Sequence, residues 1–225
     1  IGLGARSSLL AELASLDAQH SKVAIKLGKD LLTQAQQCAA EQGCKQIEQV
    51  LRHGSITDVI SALEADARLV VIGRASKHFK ALGSNIEQII RQVQTPILIL
   101  NQGFTKPQSF MLAYDGRETA DKAVQRIIEG GLLQGMDCHL VTVENNKKGL
   151  KESFERVSHQ LTTGGFTVKA SFLTGNIFTS LMDYQAQNDV DLLVMGAFSH
   201  SKLASIFLGS NTFRMLENTQ LPLVI

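Results

Sequence analysis

The segment Asp191-Leu-Leu-Val-Met-Gly196 decides the fold, because here an apolar run of strand length ends at a glycine and a polar loop follows. The chain contains a similar segment upstream, Arg68-Leu-Val-Val-Ile-Gly73, and the two glycines are 196 − 73 = 123 residues apart. Self-similarity at a fixed spacing is the signature of a repeated structural unit. The two segments therefore predict that the chain is built from two related halves.

Three further pairs of segments support the repeat. They recur in the same order in both halves, with offsets of 175 − 54 = 121, 209 − 83 = 126 and 222 − 96 = 126 residues: Arg52-His-Gly-Ser55 with Leu173-Thr-Gly-Asn176, Leu82-Gly-Ser-Asn85 with Leu208-Gly-Ser-Asn211, and Thr95-Pro-Ile-Leu-Ile99 with Leu221-Pro-Leu-Val-Ile225. Offsets this consistent predict two homologous domains in tandem, residues 1–103 and 107–225, with the junction near residues 101–107.

The second half alternates short apolar runs with segments of helical periodicity. The runs predicted as strands are 110–114, 138–143, 168–173, 191–195 and the run that begins at Pro222; the segments predicted as helices are 120–128, 150–161, 177–187 and one that begins at about Ser210. Strands that alternate with helices form a parallel sheet that is covered on both faces. The second half is therefore predicted to be an α/β domain of the doubly wound kind, with a parallel five-stranded sheet.

The first half matches only the later part of this plan. Its predicted helices are 21–42, 56–64 and 85–94, and its predicted strands are 47–51, 69–72 and 97–100. Residues 1–20 contain no strand-like apolar run, so the first strand, its helix and the second strand have no counterpart. We expect that the first domain is completed either by an N-terminal segment that precedes this sequence or by a strand from another chain.

The composition excludes several classes of protein. The 225 residues are 44% hydrophobic and 19% charged, which suffices for packed cores and lacks the signature of disorder. Lys plus Arg number 22 against 21 for Asp plus Glu, and a net charge of +1 favours neither nucleic acid nor a membrane surface as partner. The apolar runs are far shorter than the roughly 20 residues of a membrane-spanning helix.

Cysteine and histidine give no sign of metal or catalytic chemistry. The spacing of Cys38, Cys44 and Cys138 matches no metal motif, and free thiols are typical of the reducing cytoplasm. The six histidines also lack metal-ligand spacing, and neither a nucleophile elbow nor a Walker motif is found. We therefore expect a cytoplasmic protein without a metal and without efficient catalysis.

A ligand is expected at the carboxyl edge of the second-half sheet, where open parallel sheets bind their ligands. Asp115, Val143 and Gly196 end strands at this edge, and the loop through Ser199 leads to Gly209-Ser210-Asn211 at a helix start. Unpaired N–H groups and the helix dipole favour an anion there. Each feature also has a structural explanation, since Asp-Gly pairs form ordinary turns and glycines relieve crowding.

This stretch resembles the universal stress protein family. ATP-binding members carry Gly, two residues, Gly, nine residues and Gly-Ser or Gly-Thr between the fourth strand and the last helix. Here Gly196, two residues, Ser199, nine residues and Gly209-Ser210 keep that spacing. Asp115 matches the family aspartate near the ribose and adenine, and Val143 matches a backbone position that contacts adenine.

The resemblance covers residues 107–225 and the later part of the first half. It implies a tandem two-domain member with Rossmann-like, adenine-nucleotide alpha-hydrolase-like domains, and a cytoplasmic stress-response protein that binds ATP or another adenine nucleotide. Hydrolysis, if any, would be slow and incidental. The implied nucleotide-binding residues are Asp115, Val143, Gly196, Ser199, Gly209, Ser210 and Asn211. Ser199 departs from the family glycine and adds a Cβ that weakens a phosphate cradle.

The corresponding loop of the first half contains Gly73, Ser76, Gly83 and Ser84. It spans 83 − 73 = 10 positions between its outer glycines, against 209 − 196 = 13 in the second half. A loop three residues shorter leaves less room for a triphosphate. We therefore expect the nucleotide in the second domain and only a weaker site in the first.

An alternative stays open, in which the cradle is degenerate and the protein acts through dimerisation or an apolar, lipid-like metabolite. Such a ligand would contact apolar loop residues, namely Phe79, Phe198, Ile206 or Phe207. In either case the resemblance implies that the last strands of the two halves, 96–100 and 222–225, pair, because in family members the last strand of one domain typically pairs with that of another. Their proline starts suit edge strands, and the pairing makes an internal pseudo-dimer that leaves room for a homodimer.

Overall fold

The computed structural model describes residues 3–74, 84–101, 103–196 and 210–225, and the chain divides after Gly54 into two units. In the first unit, helix α1 (Leu3–Glu41) is followed by residues without regular secondary structure. This helix begins 18 residues before the predicted start at residue 21 (21 − 3 = 18), because the added residues are mainly helix formers without proline. It ends at Glu41, and Gly43 follows with a φ of +89°, which suits a residue without Cβ.

The second unit is a helix-covered sheet. Its helices are α2 (Ile56–Leu63), α3 (Ser84–Gln92), α4 (Glu118–Gly130), α5 (Leu150–Thr163), α6 (Ile177–Gln187) and α7 (Ser210–Asn218), with a 3₁₀ turn at Glu64–Asp66. Its strands are β1 (Val70–Gly73), β2 (Ile97–Leu100), β3 (Ser109–Ala113), β4 (Asp137–Val143), β5 (Val168–Leu173), β6 (Leu192–Met195) and β7 (Leu223–Val224). Together these strands form one seven-stranded sheet in the order β1-β2-β7-β6-β3-β4-β5.

The second half has the predicted doubly wound topology. Its five strands follow the order β7-β6-β3-β4-β5, and every pair among them is parallel. On the central strand β3, Leu112 lies beside Leu140 of β4 and Val194 of β6. The parallel strands bring the ends of β3, β4 and β6 to one edge of the sheet, and the predicted α/β class is confirmed.

The two halves meet in the predicted pairing of their last strands. β2 runs antiparallel to β7, with Leu98 opposite Val224 and Ile99 opposite Leu223. Ile97 and Ile225 exchange backbone N–H···O bonds of 2.9 Å in both directions. One sheet therefore continues through both halves of the chain.

The predicted strand at residues 47–51 is wrong, because these residues have no regular secondary structure and belong to no sheet. Their counterpart in the repeat is β5, which pairs with β4 alone. Helix α1 occupies the chain upstream, so the described residues contain no first-half counterpart of β4 for the segment to pair with. A strand is defined by its hydrogen-bonded neighbour, and the first half accordingly contributes only β1 and β2 in the described residues.

Alternating side chains of the sheet build two hydrophobic layers. One layer includes Met111, Leu193 and Ile99, which pack with residues of α3, α6 and α7. The opposite layer includes Phe110 and Leu112, which pack with residues of α4 and α5. Strands buried on both faces read as continuous apolar runs in the sequence, which is why they could be recognised.

A half-buried arginine joins the first half to the last helix. Arg74 follows β1, and its guanidinium donates hydrogen bonds to the carbonyls of Leu216 and, at 3.1 Å, of Thr219. These carbonyls belong to the C-terminal end of α7, where cations and N–H donors are favourable. Burial lowers the pKa of Arg74 from its ordinary value. The contact helps to hold α7, whose opposite end borders the pocket described below.

We expect a pH-dependent stability that is set by His139. This side chain is buried on β4 and lies 3.2 Å from the Tyr184 hydroxyl through Nδ1. Burial, and secondly the charge of Lys169, lower the pKa of His139, while Asp137 acts in the opposite direction. Because the folded pKa lies below the unfolded value of about 6.5, stability is complete above that pH and falls as the pH drops, by at most about 1.4 kcal/mol per pH unit.

Urea unfolding at a series of pH values from 7.5 to 5 checks this. In the wild type the free energy of unfolding should fall as the pH drops through this range. In His139→Gln it should fall less, because the buried histidine is gone. His159→Gln, which changes an exposed histidine of α5, should keep the decline of the wild type. The same decline in both variants would show that His139 is not the group responsible.

Candidate functional site

A pocket of about 270 Å³ opens at the carboxyl edge of the second-half strands. The ends of β3, β4 and β6 and the beginnings of α4 and α7 contribute to it. The buried residues that line it, which we call the floor, are apolar, and the more exposed ones, which we call the rim, are mainly polar. The floor includes Val141, Val143, Leu181 and Met195, and the rim includes Asp115, Arg117, Asn145 and Asn211. An apolar floor with a few convergent polar groups is typical of a small-molecule site.

Four of the residues selected from the sequence line this pocket together. They are Asp115, Val143, Gly196 and Asn211, which come from four separate places in the chain. Ser210 is the first residue of α7, next to Asn211. Ser199 and Gly209 lie outside the described residues. The topology therefore brings the strand-end aspartate, the strand-end valine and the glycine after β6 to one place.

The weaker site predicted in the first half is described only at its two ends. Gly73 is the last residue of β1, and Ser84 is the first residue of α3. Ser76 and Gly83 lie outside the described residues. The same holds for the apolar residues of the alternative hypothesis, Phe79, Phe198, Ile206 and Phe207.

Asp115 is held in place by the turn that follows β3. Its Oδ1 accepts the backbone N–H of Arg117 at 2.9 Å, and its Oδ2 lies 3.5 Å from the Arg117 Nε. Its backbone carbonyl accepts a hydrogen bond of 3.2 Å from the Asn145 amide. Gly116 makes the turn with a φ of +76°, a conformation that favours glycine. The carboxylate is half-exposed and remains accessible to a ligand in the pocket.

Sequence reasoning missed Arg117 and Asn145. Asn145 lies two residues beyond β4, and besides its bond to Asp115 its Oδ1 accepts the N–H of Lys147 at 2.8 Å. Arg117 adds a cation to the rim of the pocket. Asn145 is the second residue after β4, as Asp115 is after β3, so the argument that selected Asp115 would have found it if applied to β4. Arg117 lies two residues beyond Asp115 in the turn that leads to α4.

Tyr114 anchors the site without taking part in proton transfer at neutral pH. Its hydroxyl donates to Asp121 Oδ1 at 2.8 Å, and its carbonyl accepts the Thr142 hydroxyl at 2.9 Å. Burial, and secondly the hydrogen bond to Asp121, raise the pKa of Tyr114 to about 12. The phenol therefore stays neutral and ties α4 to the end of β3.

Gly196 allows β6 and α4 to approach closely. A Cβ placed on this glycine would lie 3.2 Å from the carbonyl carbon and oxygen of Thr119 and 3.3 Å from the nitrogen of Ala120. Because these are backbone atoms, they yield only if the first turn of α4 moves. The close approach places the N-terminus of α4 at the pocket, and α7 begins there through Asn211. Two helix N-termini and Arg117 favour a negatively charged group in the ligand.

Within residues 3–74, 84–101, 103–196 and 210–225, no group of three or more His, Cys, Asp or Glu side chains is arranged to hold a metal ion. Within the same ranges, no helix combines the length and the hydropathy that a membrane span requires.

Known proteins resemble this chain in sequence and in fold. The model of the Universal stress protein family matches residues 4–101 and 144–225, segments that include Gly196 and Asn211 but not Asp115 or Val143. Universal stress protein Slr1230 of Synechocystis sp. (strain ATCC 27184 / PCC 6803 / Kazusa) is 28% identical over 230 residues, which cover 100% of this chain and 80% of that protein.

Two solved structures share the fold. A universal stress protein from Archaeoglobus fulgidus DSM 4304 superposes with a TM-score of 0.74 at 17% identity, over 88% of this chain and 77% of that one. A functionally unknown protein from Pseudomonas aeruginosa PAO1 superposes with a TM-score of 0.61 at 15% identity, over 87% and 76%. With the two matched segments and the tandem repeat, these findings show that the chain belongs to the universal stress protein family as a member of the tandem type.

Proposed function

We propose that this protein binds an adenine nucleotide, with ATP as the first candidate, in the pocket of its second half, and that it does so as a cytoplasmic stress-response protein. The observation that carries the proposal is the meeting of Asp115, Val143, Gly196 and Asn211 in one pocket. The carboxyl edge of the sheet, the strand-end aspartate and the helix N-termini are the features expected of a nucleotide site in this kind of fold.

The pocket suits the parts of a nucleotide in a definite orientation. The apolar floor around Val141 and Val143 suits the adenine ring, and the Asp115 carboxylate is an acceptor for ribose hydroxyls. Arg117 and the beginnings of α4 and α7 favour the phosphates. A volume of about 270 Å³ is near the lower end for ligand pockets. It accommodates the nucleoside, with the phosphates directed toward Gly196 and Asn211.

We further infer a binding protein rather than an efficient enzyme. The acidic side chain that lines the pocket among the described residues is Asp115, whose carboxylate is already engaged with Arg117. General acid–base catalysis needs a group that is poised to exchange a proton near neutral pH, and Tyr114 is not such a group because its pKa is raised to about 12. We also infer that the chain divides into two domains, residues 1–103 and 107–225. The pairing of β2 with β7 would then be the contact of an internal pseudo-dimer.

Asp115→Ala tests the assignment of the site. The variant removes a charged hydrogen-bond acceptor, which contributes about 1.5–3 kcal/mol in a typical contact. We therefore expect the affinity for ATP to fall about 10- to 150-fold in a calorimetric titration. Asp137→Ala is the matched control, because Asp137 is exposed at the opposite, amino-terminal end of β4. ATP affinity that is equal in the two folded variants would remove Asp115 from the site.

A further inference from the structure

A second cavity lies between the C-terminal end of α3 and one side of α4. We call it the α3–α4 cleft. Its volume is about 160 Å³. Its apolar lining includes Ile90, Ile97, Ile127, Leu133 and Val224. These side chains are nearly or fully buried, with exposures between 1% and 9%. The cleft therefore has a buried apolar floor, and its mouth opens to solvent beside the exposed residues Leu132, Lys122 and Arg126.

The cleft is open because one of the helix residues that face it has a small side chain. Ala123 of α4 lines the cleft with only a methyl group, while its neighbour Val124 turns into the core. Thr119, Met195 and Gly196 line both the cleft and the candidate nucleotide pocket, so the two cavities share a wall. The cleft and the nucleotide pocket are therefore adjacent but distinct cavities. A ligand in one of them contacts residues that also line the other.

The charged residues at the cleft are both basic. Among the described residues that line it, these are Lys122 and Arg126, which lie four positions apart on one side of α4. Arg126 donates one N–H to the Gln94 carbonyl at 3.0 Å. A guanidinium carries five N–H donors, so this bond leaves donors for an anion. Lys122 pairs with Glu118 at 2.7 Å, but both side chains are largely exposed and such pairs are weak.

We propose that the α3–α4 cleft binds an aliphatic carboxylate, with its alkyl chain between the two helices and its carboxylate at Arg126 and Lys122. Apolar walls with a basic rim complement this chemistry, whereas an amine of the same length would place a cation beside two others. Size limits the chain, since an apolar cavity of about 150 Å³ accepts one benzene molecule. The cleft therefore matches a chain of about six to eight carbons. This site goes beyond the proposed nucleotide function and does not depend on it.

Calorimetric titration with straight-chain carboxylates tests the site. Burial of each added methylene is expected to raise the affinity about fourfold from butanoate to hexanoate and octanoate. Beyond about eight carbons the gain should level off, because the cleft is then full. Octylammonium should bind at least tenfold more weakly than octanoate. No binding of octanoate, or an affinity that does not change with chain length, would overturn the proposal.

Two variants separate the apolar walls from the basic rim. Ala123→Leu fills the gap and should weaken octanoate binding at least tenfold. Arg126→Gln should weaken octanoate about three- to tenfold and leave 1-octanol unchanged. Lys151→Gln, an exposed change on α5 away from the cleft, is the control and should bind octanoate as the wild type does. Arg126→Gln also serves if Ala123→Leu fails to fold, and wild-type octanoate affinity in folded Ala123→Leu or in Arg126→Gln would contradict the assignment.

Discussion

Gly116→Val is expected to lower the affinity for ATP by at least 30-fold and to lower the free energy of unfolding by about 2–4 kcal/mol. The glycine has a φ of +76°, which a β-branched residue adopts only under strain. An added Cβ would also lie 2.7 Å from Leu150 Cδ1 and 3.2 Å from Lys147 Cδ. The Lys147 side chain can yield, but Leu150 is buried and has little room to do so. We therefore expect the contact and the strained φ together to displace the turn from Asp115 to Arg117, and Asp115 with it.

Gly135→Val is the matched control for this prediction. Gly135 has a similar φ of +82°, but a Cβ there would meet no heavy atom within 4 Å. It lies between α4 and β4, at the edge of the sheet opposite the pocket. The control should lose about 1–3 kcal/mol of stability through backbone strain and bind ATP normally. Calorimetry and urea unfolding on both variants check this, and ATP binding that is normal in Gly116→Val would contradict the importance of the turn.

Phe110→Ala is expected to lower the free energy of unfolding by about 3–5 kcal/mol. Phe110 is 0% exposed on the central strand β3, and its ring packs edge-to-face against Phe166 with 5.8 Å between centroids. The change removes buried apolar area and leaves a cavity that the surrounding sheet and helices cannot close. Equilibrium unfolding in urea measures the loss.

The matched control for the core variant is Phe172→Ala on the edge strand β5. Phe172 is 37% exposed and makes a comparable edge-to-face contact with Phe154, at 5.6 Å between ring centroids. Part of its surface is already in water, so we expect a loss of about 1–2 kcal/mol. Equal losses in the two variants would mean that β3 is not the centre of the packed sheet.

Much of the second half could be predicted because its signals are local and agree with one another. β5 and α6 begin and end where the apolar pattern predicts, since buried parallel strands and amphipathic helices leave distinct periodicities. The pairing of β2 with β7 was also predicted, from the resemblance to a family whose domains pair through their last strands. Once the strands are parallel, their carboxyl ends must share an edge, which is why Asp115 and Gly196 could be associated before the structure was known.

The failures occurred where structure depends on distant partners. Residues 47–51 have a strand-like composition, but a strand needs a neighbour, and helix α1 occupies the chain where that neighbour would be. The position of Asn145, two residues beyond β4, is visible in the sequence, but its bond to the Asp115 carbonyl is a contact between two strand ends that only the structure shows. The α3–α4 cleft was equally invisible, because it arises from how Ala123 packs and not from any motif.

The central claim is that an adenine nucleotide binds at the carboxyl edge of the second-half sheet, and photoaffinity labelling with 8-azido-ATP tests it most directly. The purified protein would be irradiated with the probe, with and without excess ATP, and the modified peptide would be identified by mass spectrometry. The account predicts a label that ATP suppresses, in a peptide that contains the end of β3 with Asp115 or the end of β4 with Val143. A label that ATP does not suppress, or one confined to the first half, would contradict it.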